Sequence, residues 1–250
     1  MNFGEFLMHI AILTPSRGRP FGLRNLVQTV VRHSSGNNKV SFEHYIDYDD
    51  PFYPKYVEEL KGFEDVGSRI TLGPSQSVSK SWNDIAKIAI NNGADILMMG
   101  NDDLIFNTSD WDNILVEETK KFPDKIYCMW FNDGINDGKH CAFPIVSSLW
   151  FNTVGHFSPG IFNFLYNDTW IFDIAKRIGR DHYIPQVTAE HLHFSTGKSK
   201  KDKTTKRYRG ITKVFSKLNK THIFEKDKVI FQNTVSLRIE AAEKLKKVMS

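Results

Sequence analysis

Cysteine is nearly absent from this chain. The two present, Cys128 and Cys141, show no metal-ligand spacing, which excludes a disulfide-stapled scaffold and a thiolate zinc site. Cys128 lies inside the apolar run "IYCMWF", where a small buried thiol is expected rather than a disulfide partner. Long hydrophobic runs are missing as well. The start, "MNFGEFLMHIAILTPSRGRP", offers only Ile10 to Leu13 before Pro15 and Arg17 interrupt it, too little for a secretory signal or a membrane span. The expectation is a soluble, cytoplasmic protein. No glycine-rich phosphate loop follows the first apolar run, no internal repeat is visible, and low complexity is confined to one lysine-rich stretch.

That stretch accounts for the charge. The chain carries a formal net +4, but Lys198 to Arg209, "KSKKDKTTKRYR", has seven basic residues and one acid, a local +6, leaving about −2 for the rest. The basic character therefore belongs to one segment, suited to a phosphate or a nucleic-acid backbone, and not to the whole surface. A length of 250 residues suits one domain with a full core around a sheet.

Between residue 9 and about 132, short apolar runs alternate with amphipathic stretches, the pattern of an α/β unit with a mostly parallel sheet. "HIAILTP" reads as a strand ending at Pro15, with a helix across Leu23 to His33. "VSFEHYID", Val40 to Asp47, reads as a second strand running into the turn-rich "DYDDPFYP". Val78, Trp82, Ile85 and Ala89 recur at helical intervals up to Gly93. That helix leads into "ADILMMGNDDLIF", an apolar strand broken by Asn101, Asp102 and Asp103. Adjacent carboxylates at the end of a core strand raise one another's pKa, and a hard divalent cation relieves them. A strand at Ile126 to Phe131 leads to the loop "NDGINDGKH". Aromatic-rich sequence then leads to a helix over Thr169 to Ile178, the alternating "YIPQVTAEHLHF", the basic segment, and two C-terminal helices, the last over Val235 to Val248.

In open α/β sheets, ligands gather at the carboxyl ends of the strands. "TPSRGRP", "DYDDP" and "GNDD" all fall at such ends. Arg17 and Arg19 suit phosphates, Asp47 and Asp49 suit the hydrogen-bond donors of a base or ribose, and Asp103 suits a divalent cation. The competing account of the first two clusters is a turn built by Gly18 and Pro20 and a turn capped by aspartates. His191 and His193 share a face if "HLHF" is a strand, either as metal ligands or as packed core residues. Asp168 precedes a helical pattern, as a helix cap or as a general base.

Taken in order, these motifs resemble the nucleotide-sugar-dependent glycosyltransferases of the A-type fold, in particular the large inverting family 2-like group built on one nucleotide-binding α/β domain. The likeness runs from "TPSRGRP" through "DYDDP", a helix with Lys80 and Asn83, "NDD" in place of an Asp-any-Asp motif, "WFNTVGHF", "ND" in place of a Glu-Asp pair, and a late histidine. It covers residues 9 to 207. It implies a single Rossmann-like α/β domain over 1–207, with a donor half at about 9–132, an acceptor half at about 133–207 and a helical extension at 208–250. It implies that Asp103 and His193 hold Mn2+ or Mg2+ and that Asp102 contacts ribose or sugar. Asp47 or Asp49 faces the base, Pro15 and Arg17 line its pocket, and Lys80, Asn83 and Lys198 contribute to donor binding. Asp168 deprotonates the acceptor hydroxyl, with inversion at the anomeric carbon. A UDP-sugar is the first donor to test. The acceptor is a glycan or a modified DNA base, the latter reached through 198–209. Asn101 and Asn167 depart from the family's acids. The alternatives are a nucleotidyltransferase acting on a sugar phosphate, disfavoured by the missing glycine-rich loop, and a non-catalytic DNA-binding protein.

Overall fold

The computed structural model describes residues 8–199, 202 and 223–249. One eight-stranded sheet runs in the order β3-β2-β1-β4-β7-β6-β8-β5. Its elements are β1 (His9–Ser16), α1 (Pro20–His33), β2 (Lys39–Asp47), α2 (Tyr53–Leu60), β3 (Ser68–Gly73), α3 (Val78–Asn91), β4 (Ile96–Met99), β5 (Leu104–Phe106) and α4 (Trp111–Thr119). After these come β6 (Cys128–Asn132), β7 (Ile145–Ser147), α5 (Ser148–Val154), α6 (Asn167–Ile178), β8 (Asp181–His191), α7 (Ile223–Asn233) and α8 (Val235–Lys246). β3, β2, β1 and β4 are parallel, as are β6 and β8; β7 and β5 pair antiparallel. The expected α/β class and mostly parallel sheet are what the chain adopts.

Side-chain alternation explains the two cores. Ile10 and Ile12 of β1 and Ile96 and Met98 of β4 pack with α1 and α2 on one face. Ala11, Leu13, Leu97 and Met99 point the other way, onto α3, α5 and α6. Strands buried on both faces read as continuous apolar runs, as these do. Ala241, Ala242 and Leu245 of α8 belong to the second core, and Arg238 Nε donates to Asp173 of α6 at 2.7 Å. The C-terminal helices therefore pack into the domain.

Several expectations change. The strand in "ADILMMGNDDLIF" does end before Asn101–Asp103, β4 stopping at Met99 with a turn after it, but Leu104–Phe106 then becomes β5, paired antiparallel with β8 at the sheet edge, which the sequence did not announce. The turn after "DYDDP" continues into α2, and the segment after Asp110 forms α4, neither of which the sequence announced. α6 begins at Asn167, with Tyr166 in the left-handed region at its N-cap and no side-chain cap. Asp168 is thus inside the first turn and does not cap it. In β8, Pro185 lacks the N–H that a ladder needs. Pairing with β6 jumps there, from Phe131 with Ile184 to Asn132 with Thr188. Cys128 and Cys141 are both buried and reduced, their sulfurs 3.9 Å apart.

No helix among the described residues is long and apolar enough to cross a membrane. Most of the basic segment assigned to DNA or a phosphate, and the boundary at 207/208, lie outside the described residues.

Candidate active site

A cavity of about 240 Å³ opens at the carboxyl ends of β1, β2 and β4, where parallel strands deliver their loops to one place. Pro15, Arg17, Asp47, Asp102, Asp103, Asp168 and His193 all line it, together with His191.

Of the carboxylate pair, Asp102 is buried and Asp103 half-buried. Ser16 Oγ donates to Asp102 Oδ2 at 2.6 Å and Arg19 Nη1 to Oδ1 at 2.8 Å. Tyr56 supports this arrangement: its hydroxyl accepts from the Arg19 backbone N–H and lies 2.8 Å from Ser16 Oγ. Burial pushes Asp102 up to about 6 against the pull of the Arg19 guanidinium, and the Asp103 charge adds a smaller upward push. Desolvation, more than mutual repulsion, is what a bound cation would relieve.

Asp103 differs. Its Oδ1 is buried and has no hydrogen-bond partner among the described residues. His191 Nε2 stands 3.3 Å away, and Arg19 Nη1 lies 3.7 Å from Oδ2. The His193 ring is 5.0 Å from that of His191. β8 ends at His191, whose Nε2 contacts Asp103, and His193, two residues on, lines the same cavity. No three His, Cys, Asp or Glu side chains converge on one point among the described residues. A small divalent cation held by one or two protein groups and completed by substrate phosphate oxygens needs no such cluster. An orphaned carboxylate oxygen beside an imidazole fits that role.

The turn stands close to α1. A Cβ on Gly22 would lie 2.2 Å from the Asp102 carbonyl oxygen, so only glycine lets the helix start approach the carboxylates. Gly100 fits under β1 for the same reason, a Cβ there meeting Thr14 Oγ1 at 2.4 Å.

At the ends of β1 and β2, Arg17 Nη1 reaches Asp47 Oδ2 at 2.6 Å and Asp49 Oδ1 at 2.5 Å. Asp47 is buried and lines the cavity; Asp49 is exposed and outside its wall. Asp49 thus holds Arg17 from the outer side. The turn-capping role falls to Asp50, which accepts from Gly18 N–H at 2.7 Å and Phe52 N–H at 2.9 Å. Trp82, on the cavity wall, donates its indole N–H to the Leu13 carbonyl.

Three assigned donor contacts fall elsewhere. Asn83 is used up by the backbone of 157–158: its Oδ1 accepts from Phe157 and Ser158 N–H, and its Nδ2 donates to Ser158 O at 2.7 Å. Lys80 is exposed on α3 and off the cavity wall. Lys198 pairs with Glu190 on β8 at 2.5 Å, also off the wall.

Across the cavity, Asp168 Oδ2 lies 2.9 Å from His140 Nε2. Asn167 is buried, accepting from Ser158 Oγ and donating to Phe164 O, so it helps to build the wall beside Asp168. Phe164 and Leu165 line the cavity, and Asp227 of α7 arranges them. Its carboxylate accepts the backbone N–H groups of Asn163, Phe164 and Leu165 at 2.9–3.0 Å. Neither His140 nor Asp227 carried a signal in the sequence, because each acts across a separation that periodicity does not encode.

Neither a family model nor a curated protein matches the sequence. Solved structures do match in shape. The mannosyltransferase PcManGT from Pyrobaculum calidifontis, in complex with GDP-Man and Mn2+, has a TM-score of 0.57 at 10% identity, covering 96% of this chain and 73% of that one. GalNAc-T7 with UDP, GalNAc and Mn2+ has 0.59 at 11%, covering 75% and 44%. TarS of S. aureus has 0.56 at 9%, covering 73% of this chain and 37% of TarS, or 60% of its 1–349 form. The chain thus spans less than two thirds of the TarS structures it matches. At such identities the likeness concerns architecture, and the architecture is the A-type fold of the nucleotide-sugar glycosyltransferases.

Proposed function

We propose that the protein is a metal-dependent glycosyltransferase that moves a sugar from a nucleotide-sugar donor to an acceptor hydroxyl. One observation carries the reading: Asp103, whose buried Oδ1 makes no hydrogen bond among the described residues and stands 3.3 Å from His191 Nε2, lines the same cavity as Asp47 and Asp168. Metal ligands, a base-facing carboxylate and a proton acceptor are the three parts such a transfer needs. That the neighbours of like fold were solved with UDP or GDP-Man and Mn2+ supports the donor class.

Asp103, with His191 and His193 at its side, would hold Mn2+ or Mg2+. When bound, the cation supplies positive charge that offsets the departing nucleoside diphosphate. Asp102, held by Ser16 and Arg19, keeps the turn fixed and faces the ribose or sugar. Asp47, buttressed by Arg17, accepts hydrogen bonds from the base. Asp168 takes the proton of the acceptor hydroxyl as the new bond forms, with inversion of configuration. Phe143, Phe164 and Leu165 supply an apolar wall that keeps water from competing. The acceptor is a glycan or a modified DNA base, and the protein works in the cytoplasm.

The test is a thermal-shift screen of UDP-, GDP-, CMP- and dTDP-sugars with and without Mn2+. A cognate donor at a hundredfold excess over its Kd adds about 2.7 kcal/mol, or roughly 5–10 °C for a chain of this size. The shift should require Mn2+ and vanish in Asp103→Ala. A metal-independent shift, or one that survives the substitution, removes the reading.

A further inference from the structure

His140 stands outside the cavity wall, yet it touches Asp168, a carboxylate that lines it. Its Nε2 is 2.9 Å from Asp168 Oδ2 across 28 residues of sequence. The two side chains are about one-third exposed, so the contact is neither a buried structural pair nor a solvated surface pair.

The ring is held from several directions. Its edge packs on Phe172 of α6, centroids 5.7 Å apart at 81°. The next residue, Cys141, is fully buried. The loop leading to it is braced by Asp133, whose Oδ1 accepts from the Ile135 and Asn136 N–H groups. The Asp133 carbonyl accepts from the His191 N–H at 3.0 Å, which ties this loop to the end of β8. A histidine this well anchored fixes the group it touches. Asp168 Oδ1, by contrast, receives among the described residues a 3.3 Å contact from the adjacent Thr169 hydroxyl.

We propose that His140 is the positioning residue for the acceptor-activating carboxylate: its Nε2–H pins Asp168 Oδ2, leaves Oδ1 to receive the acceptor proton, and sets the pH range of that transfer. The proposal rests on the glycosyltransferase reading above. In the step, the acceptor O–H proton passes to Asp168 Oδ1 while the acceptor oxygen bonds to the anomeric carbon. The bond from that carbon to the donor phosphate oxygen breaks, and its electron pair leaves with the nucleoside diphosphate. Asp168 then returns the proton to solvent. With a neutral imidazole, Asp168 keeps one N–H bond and accepts the proton readily. With a doubly protonated one it is ion-paired and a poorer acceptor.

The charged groups facing His140 support that range. The bond from Asp168 holds its pKa above the usual imidazole value against burial; the Asp168 and Asp133 charges raise it further, and Lys176 on α6 opposes them. The rate should therefore rise with pH through an inflection above about 6.5.

The experiment compares the full wild-type chain with His140→Gln, His140→Ala and Asp168→Asn. The His140 ring protons are titrated by NMR without ligand. Hydrolysis of UDP-glucose, UDP-N-acetylglucosamine and GDP-mannose with Mn2+ is followed from pH 5.5 to 9. Wild type should show an NMR midpoint above that of a free imidazole, falling in Asp168→Asn. His140→Gln, which keeps a donor but no titration, should hold kcat within about tenfold and lose the inflection, with donor KM unchanged. His140→Ala should lose kcat by more than about tenfold at unchanged donor KM. Superimposable kcat profiles of wild type and His140→Gln, or an NMR midpoint unmoved in Asp168→Asn, overturn the proposal. Failure of wild type to bind any donor with Mn2+ overturns the glycosyltransferase reading instead.

Discussion

Asp102 accepts from Ser16 and Arg19, whereas Asp103 Oδ1, one residue on, is buried with no hydrogen bond among the described residues and with His191 Nε2 3.3 Å away. Motif order assigns the two acids different roles, but the difference in their surroundings is not legible in it, because it comes from Ser16 and from Arg19, 83 residues away from Asp102. Asp168 presents the complementary case. Substituting Asp168→Asn keeps its size and its place in the first turn of α6 while removing a proton acceptor. Donor affinity and thermal stability should stay near wild type while turnover falls by about 10²–10⁴-fold. Isothermal titration with the cognate sugar nucleotide beside a transfer or hydrolysis assay checks this. A parallel collapse of donor affinity would place Asp168 on the donor side.

At the scale of elements, the site depends on how closely α1 and the β4–β5 turn approach. Gly22→Ala would drive a methyl group into the Asp102 carbonyl oxygen, 2.2 Å from the new Cβ. Forcing the helix away should cost about 1–3 kcal/mol and weaken Mn2+-dependent donor binding, read as a lower denaturation midpoint and a smaller donor-induced shift. Asp227 makes the same point from the C-terminal side. Asp227→Ala strips charge-assisted bonds from three backbone N–H groups and should cost about 3 kcal/mol or more, with a specific loss of acceptor use at preserved donor binding. Unfolding by denaturant and donor titration together check that split. In the first half β1, α1, β2, α3 and β4 with its end before Asn101 were legible because an apolar run of period two or 3.6 states which faces are buried. Elements α2, β3, β5 and α4 were not, since they are short and carry few buried side chains to set a period. Of the residues assigned by motif order, Arg17, Asp47, Asp102, Asp103, Asp168 and His193 meet in one cavity. Lys80, Asn83, Asp49 and Lys198 do not line it, because order along a chain fixes an element but not which face of it turns inward.

For the molecule as a whole, burial of titratable groups sets an acid limit. His44 is fully enclosed on β2, with Nε2 3.1 Å from Ser68 Oγ and no partner for Nδ1 among the described residues; burial lowers it to about 3. Burial likewise lowers His156 to about 4. Both are neutral when folded and gain a proton when unfolded below about 6.5, so the unfolded state binds more protons between roughly pH 3 and 6.5. Their contribution is fully present above pH 6.5 and is lost progressively as pH falls, on the order of a few kcal/mol. The thermal midpoint should drop on acidification from pH 7 to 4, and His44→Leu should flatten that slope. Equal slopes in the two proteins would assign the acid sensitivity to other groups.

The carboxylate of Asp227 fixes residues 163–165 of the cavity wall from late in the chain, while Arg17, Asp47, Asp102 and Asp103 precede α4. The parts of the cavity therefore mature at different moments of synthesis. A nascent chain that has delivered β1 to β5 holds those four side chains, but His191 and His193 come with the end of β8 and residues 163–165 lack their anchor until α7 emerges. The wall carrying Phe164 and Leu165 is the last part of the cavity to be fixed as the chain is made.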